Sequence, residues 1–150
     1  MVEQLSEALA VVCCIDPDAY AASTYHCDVI DMLYFERVIF IVQVGTLAAN
    51  ATINFQVYES ITGVDPPNSF VAMTPAKVIT QLDQAGVNDS DTQAVLEVKA
   101  DELTPGYRYL QARLQVGVAA ADAGLLGLGD TARWKPANVY DLASVREIVA

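Results

Sequence analysis

The chain has 150 residues, of which 53% are apolar and 18% charged, and its formal net charge is −11. This length and apolar content can bury a hydrophobic core, so one folded domain is expected rather than a disordered chain. The excess of acidic over basic side chains argues against a nucleic-acid partner, and no apolar run reaches the roughly 18 residues that span a bilayer.

The N-terminal residues 1–19 are predicted to form an arm outside the main domain, either extended or helical between Val2 and Val12. The first basic residue is Arg37, so the positively charged start of a secretory signal is missing, and we expect a protein made in the cytoplasm. Three cysteines, two of them adjacent at Cys13 and Cys14, do not suggest a disulfide framework but a reducing compartment.

Residues 20–129 are predicted to form an antiparallel β-sandwich, because apolar and polar residues alternate there with period two. Ala51–Tyr58 and Tyr107–Val118 show the cleanest alternation. Other strands are predicted at Tyr20–Ile30, Phe35–Val44, Phe70–Met73, Val78–Leu82, Thr92–Ala100 and Gly124–Leu128. About eight short strands are the number of a jelly roll. The turn from Gly45 to Asn50 is predicted to close a hairpin.

The segment Phe35–Val44 is apolar on both faces. Val38, Phe40, Val42 and Val44 alternate with Ile39 and Ile41. A strand of this kind is either central in its sheet or covered by a partner. Ile39 and Ile41 are therefore candidate interface residues.

The C-terminal residues 130–150 are predicted to form a second arm. Asp141 could cap a short helix with Leu142, Val145 and Ile148 on one side. So short a helix is marginal in water and needs a surface to lie on. Aromatic residues are enriched in protein interfaces. The candidate contact residues are Tyr109, Trp134, Tyr140, Leu142, Val145 and Ile148.

Few residues suggest chemistry. His26 is the only histidine, and Cys27 beside it would point to the opposite side of a strand. The four zinc-type ligands Cys13, Cys14, His26 and Cys27 lack the spacing of a zinc site. The clusters Asp16 with Asp18, and Asn88 with Asp89 and Asp91, do not follow the calcium-loop order. We expect no enzyme activity, no metal and no cofactor.

The aromatic residues leave an alternative open. Together they could line a sugar-binding groove, as in β-sandwich lectins, or they could be buried or lie in a protein interface. The residues in question are Tyr20, Tyr25, Tyr107, Tyr109, Trp134 and Tyr140. A carbohydrate-binding or host-attachment module is therefore the second functional hypothesis.

The order of several segments resembles the small decoration, or cement, proteins of tailed-phage heads. The resemblance covers about residues 5 to 135 and is carried by Tyr25–Met32, Phe35–Gln43, Ala51–Ser60, Lys77–Leu82 and Gly106–Leu110. The chain departs from the pattern at Pro66-Pro67-Asn68 and in a longer tail after Pro136.

The resemblance implies a jelly-roll-like sandwich without catalytic residues, located on the outer capsid surface of a virion. Such a protein binds the assembled capsid as a homo-oligomer, a dimer or a trimer, and bridges neighbouring subunits of the major capsid protein. An acidic exterior suits a protein that coats a shell and has no contact with the packaged nucleic acid.

Overall fold

The structure is a computed structural model that describes residues 4–64 and 69–149. The helices that lie wholly within the described residues are α1 (Leu5–Ala8) and the 3-10 helices η1 (Ala100–Glu102) and η2 (Ala137–Tyr140). The strands are β1 (Leu9–Tyr20), β2 (Ser23–His26), β3 (Ile30–Asp31), β4 (Phe35–Leu47), β5 (Thr52–Ser60), β6 (Val71–Ala72), β7 (Leu82–Asp83), β8 (Gln93–Lys99), β9 (Tyr109–Gly117) and β10 (Ala121–Ala132). The Pro66-Pro67-Asn68 turn lies outside the described residues.

The strands form two antiparallel sheets. The first sheet has the order β1-β10-β4-β8, and the second has the order β2-β9-β5-β6. The short β3 follows β2 along the same edge of β9, and β7 pairs with the same strand as β6, namely β5. Each sheet is therefore four strands wide when these short pieces are joined.

The strand order is that of a jelly roll. When β2 is joined to β3 and β6 to β7, eight strands remain, and the first pairs with the eighth and the second with the seventh. In the same way, the third pairs with the sixth and the fourth with the fifth. This nested pairing is an antiparallel ribbon wrapped into two sheets. The predicted jelly-roll-like sandwich is confirmed.

The core lies between the inner faces of the two sheets. Val38, Phe40 and Val42 of β4 and Phe55 of β5 are fully buried. The rings of Phe40 and Phe55 meet across the sandwich with their centroids 5.7 Å apart. Among the described residues, no helix has the length and apolar character needed to cross a bilayer.

The N-terminal arm predicted for residues 1–19 does not hold from residue 9 onward, because β1 (Leu9–Tyr20) is a strand of the first sheet. The pairing of β1 with β10 shifts register between Val11 and Cys13. This bulge makes Val12 and Cys13 consecutive buried residues, and so it breaks the period-two pattern by which strands are found in a sequence. From residue 4 onward, the helical alternative holds for Leu5–Ala8 alone, and Val2 and Glu3 lie outside the described residues.

The predicted hairpin at Gly45–Asn50 is also wrong. β4 pairs with β10 and β8, whereas β5 pairs with β9 in the other sheet. The segment therefore crosses from one sheet to the other. Asn50 takes a left-handed conformation there, with φ of 62°, which asparagine tolerates better than most residues.

The predicted C-terminal helix is absent: the segment from Asp141 to Val149 contains neither helix nor strand. The Asp141 carboxylate accepts a hydrogen bond from the Val11 amide at 2.6 Å. The Leu142 amide donates to the Val11 carbonyl at 2.8 Å. A short helix is marginal alone, and the edge of β1 offers this segment hydrogen bonds instead.

Candidate protein-interaction surface

The outward side of the first sheet carries a band of apolar side chains that crosses all four strands. We call it the outer apolar face. It consists of Val11, Cys14, Ile39, Ile41, Val95, Leu126 and Leu128.

Strand register places these residues on one side. Ile39 pairs with Leu128, which pairs with Val11. Ile41 pairs with Leu126 and with Val95. Directly paired residues of antiparallel strands point to the same side of a sheet. Two neighbouring rows of apolar side chains therefore form one continuous band. The row through Ile41 reaches β8 at Val95, whereas the row through Ile39 ends at Glu97 of β8.

The band is in contact with solvent. Val95 is 66% exposed, and the other six residues are half-buried, in contrast to the buried residues that alternate with them. Ile39 and Ile41, the two residues predicted from the sequence, lie at its centre. Their strand, β4, is apolar on both faces. It pairs with β10 and β8 and presents its second apolar face outward.

Polar residues border the band at both ends. At one end, Arg37 Nε lies 2.5 Å from Asp130 Oδ2, and Lys99 pairs with Arg37 in the next strand. Burial alone would raise the pKa of the Asp130 carboxyl, but hydrogen bonds from Arg37 and Thr131 hold it below its usual range. At the other end, Gln43 pairs with Gln93. An apolar centre with a polar rim is the usual anatomy of a protein interface.

An apolar depression of about 360 Å³ continues the outer apolar face beyond the edge of β1. Its apolar lining includes Leu5, Leu9, Val11, Leu128, Val145 and Ile148. Val145 and Ile148 were predicted as contact residues on a helix. They reach this position in an irregular segment, and Ile148 remains 45% exposed.

The outward side of the second sheet is polar. Asn54 and Gln56 of β5 and Gln115 of β9 alternate with buried apolar residues. The guanidinium group of Arg113 lies 3.8 Å from the ring centroid of Tyr58 and so occupies one face of that ring. The two outward sides of the sandwich therefore differ in character.

The remaining predicted contact residues have different surroundings. Tyr140 stacks on Tyr34 with centroids 4.6 Å apart, and Leu142 is half-buried beside β1. Tyr109 is half-buried, with its ring against the backbone of Gly63. Trp134 is 53% exposed. These four residues lie outside the outer apolar face.

Sequence reasoning missed most of the outer apolar face. Val95 was visible as the exception to the alternation of Thr92–Ala100. Leu126 and Leu128 alternate with Leu125 and Gly127, so neither side of that strand looks polar. The sequence pattern does not reveal which strands are neighbours, and the face exists only when these strands are paired.

The zinc-type residues are only partly brought together. Cys13 and Cys27 are buried in the core, whereas the Cys14 sulfur faces Asp16 at 3.8 Å. His26 is exposed, with Nδ1 3.4 Å from Gln111 Oε1 on the outside of the second sheet. Within residues 4–64 and 69–149, no three His, Cys, Asp or Glu side chains are grouped so that they could hold a metal ion.

The two acidic clusters make local hydrogen bonds. In one, Asp89 accepts from the Asp83 amide at 2.9 Å and Thr92 donates to its carbonyl. In the other, the Asp18 carboxylate accepts from the amide of Ala19. The contacts of Asp89 belong to the turn between β7 and β8, where short polar side chains commonly bind the backbone, whereas Asp18 and Ala19 lie within β1.

The fold and the surface define the chain as a jelly-roll β-sandwich with one apolar outward side. No family model matches it, and no curated protein matches it. A solved structure of infectious bursal disease virus, Gt strain, is similar with a TM-score of 0.43 and 11% identity, over 87% of this chain and 33% of that chain. A structure of the Gx strain has a TM-score of 0.41 and 9% identity over the same shares. The chain spans about a third of the length of these solved chains, and similarity this low carries no argument about function.

Proposed function

We propose that the protein is a virion structural protein that binds the outer surface of a phage capsid through the outer apolar face. It bridges neighbouring subunits of the major capsid protein, acts as a homo-oligomer and stabilises the head. It performs no catalysis and uses no cofactor.

The observation that carries this proposal is the outer apolar face. Large contiguous apolar patches are rare on soluble monomers and mark interaction sites, especially when polar residues surround them. Burying one Val, Leu or Ile side chain contributes about 1.5–3 kcal/mol. Val95, which is 66% exposed, gains most from being covered, whereas Ile39 and Ile41 are already half-buried and gain only part of this amount, so the whole band has to contribute to offset the entropy lost on association.

The choice of a capsid as partner rests on the resemblance of several segments to phage head decoration proteins. The jelly-roll strand order agrees with the fold that this resemblance implies. The net charge of −11 favours a position away from packaged nucleic acid.

The proposal is tested with purified capsids that lack this protein. The wild-type protein is added, the particles are imaged by cryo-electron microscopy, and their resistance to heat is measured. We expect density on the outer shell and a higher disruption temperature. Capsids that carry no added density would contradict the proposal.

A surface variant tests the contact face itself. Ile39→Thr, Ile41→Thr and Val95→Thr combined keep β-branched side chains in the strands but remove the apolar surface. We expect binding to fall at least about tenfold, since each tenfold loss corresponds to about 1.4 kcal/mol. The matched control is Gln56→Thr with Gln115→Thr on the polar side of the other sheet, which should bind as the wild type does. Equal binding by both variants would show that another surface makes the contact.

The exposed side chain of Trp134 supports a second candidate function, that of a carbohydrate-binding or host-attachment module. Its ring lies edge-on to Tyr34 at 6.0 Å and keeps half of its surface in solvent. Arg133 and Lys135 beside it are also exposed. Binding to a glycan array that is lost in Trp134→Ala, together with no binding to capsids, would favour this candidate.

A further inference from the structure

Two cysteines meet in the core, one from each side of the sandwich. Cys13 lies on β1 of the first sheet, and Cys27 lies between β2 and β3 at the edge of the second. Their exposed fractions are 0% and 4%. The Cys27 thiol donates to the Asp28 carbonyl at 3.1 Å, and its proximity is the main cause that raises the pKa of the Cys13 thiol. Their sulfur atoms are therefore neighbours across the interface between the sheets.

The surrounding residues hold both sulfurs in place. The Ala112 amide donates to Cys27 Sγ at 3.2 Å, and the Ala112 carbonyl accepts from the Cys27 amide at 3.1 Å. On the other side, Gly127 leaves the space that the Cys13 sulfur fills, since a Cβ there would overlap that sulfur. Ala112 and Gly127 thus position the pair from opposite sheets.

A further contact ties the two segments together. The Cys14 amide donates to the Asp28 carboxylate at 3.2 Å. This hydrogen bond joins the residue after Cys13 to the residue after Cys27. This contact between the amide after one cysteine and the carboxylate after the other holds the two segments together beside the pair, which favours the close approach that a disulfide requires.

We propose that Cys13 and Cys27 are a reversible disulfide site that links the two sheets. The oxidant is a small-molecule disulfide such as oxidised glutathione. One cysteine thiolate attacks a glutathione sulfur, breaks its S–S bond and releases one glutathione. The second cysteine thiolate then attacks the mixed disulfide, forms the Cys13–Cys27 bond and releases the other glutathione. The two thiol protons go to the two glutathione molecules, so the protein is oxidised by two electrons and the glutathione disulfide is reduced.

The native fold keeps the reduced pair stable in a reducing compartment. The neighbouring Cys27 thiol and burial raise the pKa of the Cys13 thiol well above its usual value. The thiolate is the reactive form, so exchange in the folded protein is slow at neutral pH. Oxidation then requires prolonged exposure to an oxidant, such as a particle meets after it leaves a reducing cytoplasm. Only the exposure of the particle to an oxidant outside the cell rests on the proposed function; the formation of the Cys13–Cys27 bond does not.

The test uses the full chain with Cys14→Ser, which retains only Cys13 and Cys27. The protein is incubated with oxidised glutathione at mildly alkaline pH, with urea just below its unfolding transition to open the core. We expect the intact mass to fall by two hydrogen atoms and alkylation of the denatured protein to cease. Because the bond closes a loop of about 15 residues, Tm should rise by roughly 5–10 °C and return after reduction.

Matched variants separate the outcomes. Cys13→Ser and Cys27→Ser should form no internal bond, and in the wild type the bond should join Cys27 to Cys13 rather than to Cys14. Since all three cysteines precede Arg37, cleavage before Asp16 rather than tryptic cleavage separates Cys27 from the other two. Free thiols that persist in Cys14→Ser, a product carrying glutathione on both cysteines, or a Cys14–Cys27 bond in the wild type would overturn the proposal. The assay contains no capsid, so its failure is distinct from a failure of the proposed function.

Discussion

At the scale of single residues, Gly127 shows how tightly the sandwich is packed. It pairs with Phe40 on one side and Cys13 on the other. An added Cβ would overlap the Cys13 sulfur, whereas its distance of 3.5 Å to Phe40 is an ordinary contact. The constraint on this position therefore comes from one side chain, which can be changed.

Gly127→Ala should lower the free energy of unfolding by about 1–3 kcal/mol, because it overpacks the core against Cys13. Adding Cys13→Ala removes the sulfur and should recover at least about 1 kcal/mol relative to the sum of the single changes. Urea denaturation of the four proteins of this cycle measures the coupling. Strictly additive effects would mean that the sulfur is not the obstacle.

At the scale of elements, the C-terminal segment protects the open edge of β1. Val11 donates to Asp141 and accepts from Leu142. Without these partners, both backbone groups of Val11 would face solvent at a sheet edge, where strands are prone to pair with other chains. The segment therefore takes the place of a neighbouring strand for one residue pair.

Asp141→Ala should speed amide hydrogen exchange at Val11 about tenfold or more, since a hydrogen bond to a charged group contributes about 1.5–3 kcal/mol. Asp141→Asn retains an oxygen acceptor and is the control, with a smaller effect expected. Exchange followed by NMR at Val11 measures the difference. An unchanged rate in Asp141→Ala would show that the carboxylate does not protect this amide.

At the scale of the whole molecule, the first strand closes the fold by pairing with the last. β1 pairs with β10 from Leu9 opposite Asp130 to Tyr20 opposite Ala121. It also contributes Ala10, Val12, Cys13 and Ile15 to the core. This pairing joins residues that are far apart in sequence and leaves β10 with two neighbours.

Deleting residues 1–20 should abolish cooperative thermal unfolding. The deletion removes several buried apolar side chains at about 1.5–3 kcal/mol each, against a total stability of about 5–15 kcal/mol for a domain. Deleting residues 1–4 is the control and should lower Tm far less, because it leaves β1 (Leu9–Tyr20) intact. Circular dichroism during heating distinguishes the two. A normal transition after the longer deletion would support the arm that the sequence predicted.

Strands were predictable from the sequence where one face is buried and the other is in water. β5 and β9 meet this condition, and both were predicted to within two residues at each end. β1 was missed because the bulge at Val12 and Pro17 interrupt its alternation. The contact of Val11 with Asp141 spans 130 residues, and the local pattern of apolar and polar residues does not predict a contact between segments so far apart.

The candidate surface was predictable only in part for the same reason. Ile39 and Ile41 stood out because their strand is apolar on both sides. Val11, Leu126 and Leu128 joined them only when the register of three strands was known. The helical pattern of Leu142, Val145 and Ile148 was a real apolar signal, but the edge of β1 decided its conformation.

The contact between β1 and the C-terminal segment also determines where added polypeptide would emerge. Leu5 and Ile148 line the same depression. A sequence attached before Leu5 and a sequence attached after Ile148 would therefore both leave the sandwich at this corner. That corner adjoins the outer apolar face. A reporter or a displayed antigen fused at either end would crowd the surface proposed for capsid contact. The loop between β7 and β8, which carries exposed Val87, offers an attachment point away from that corner.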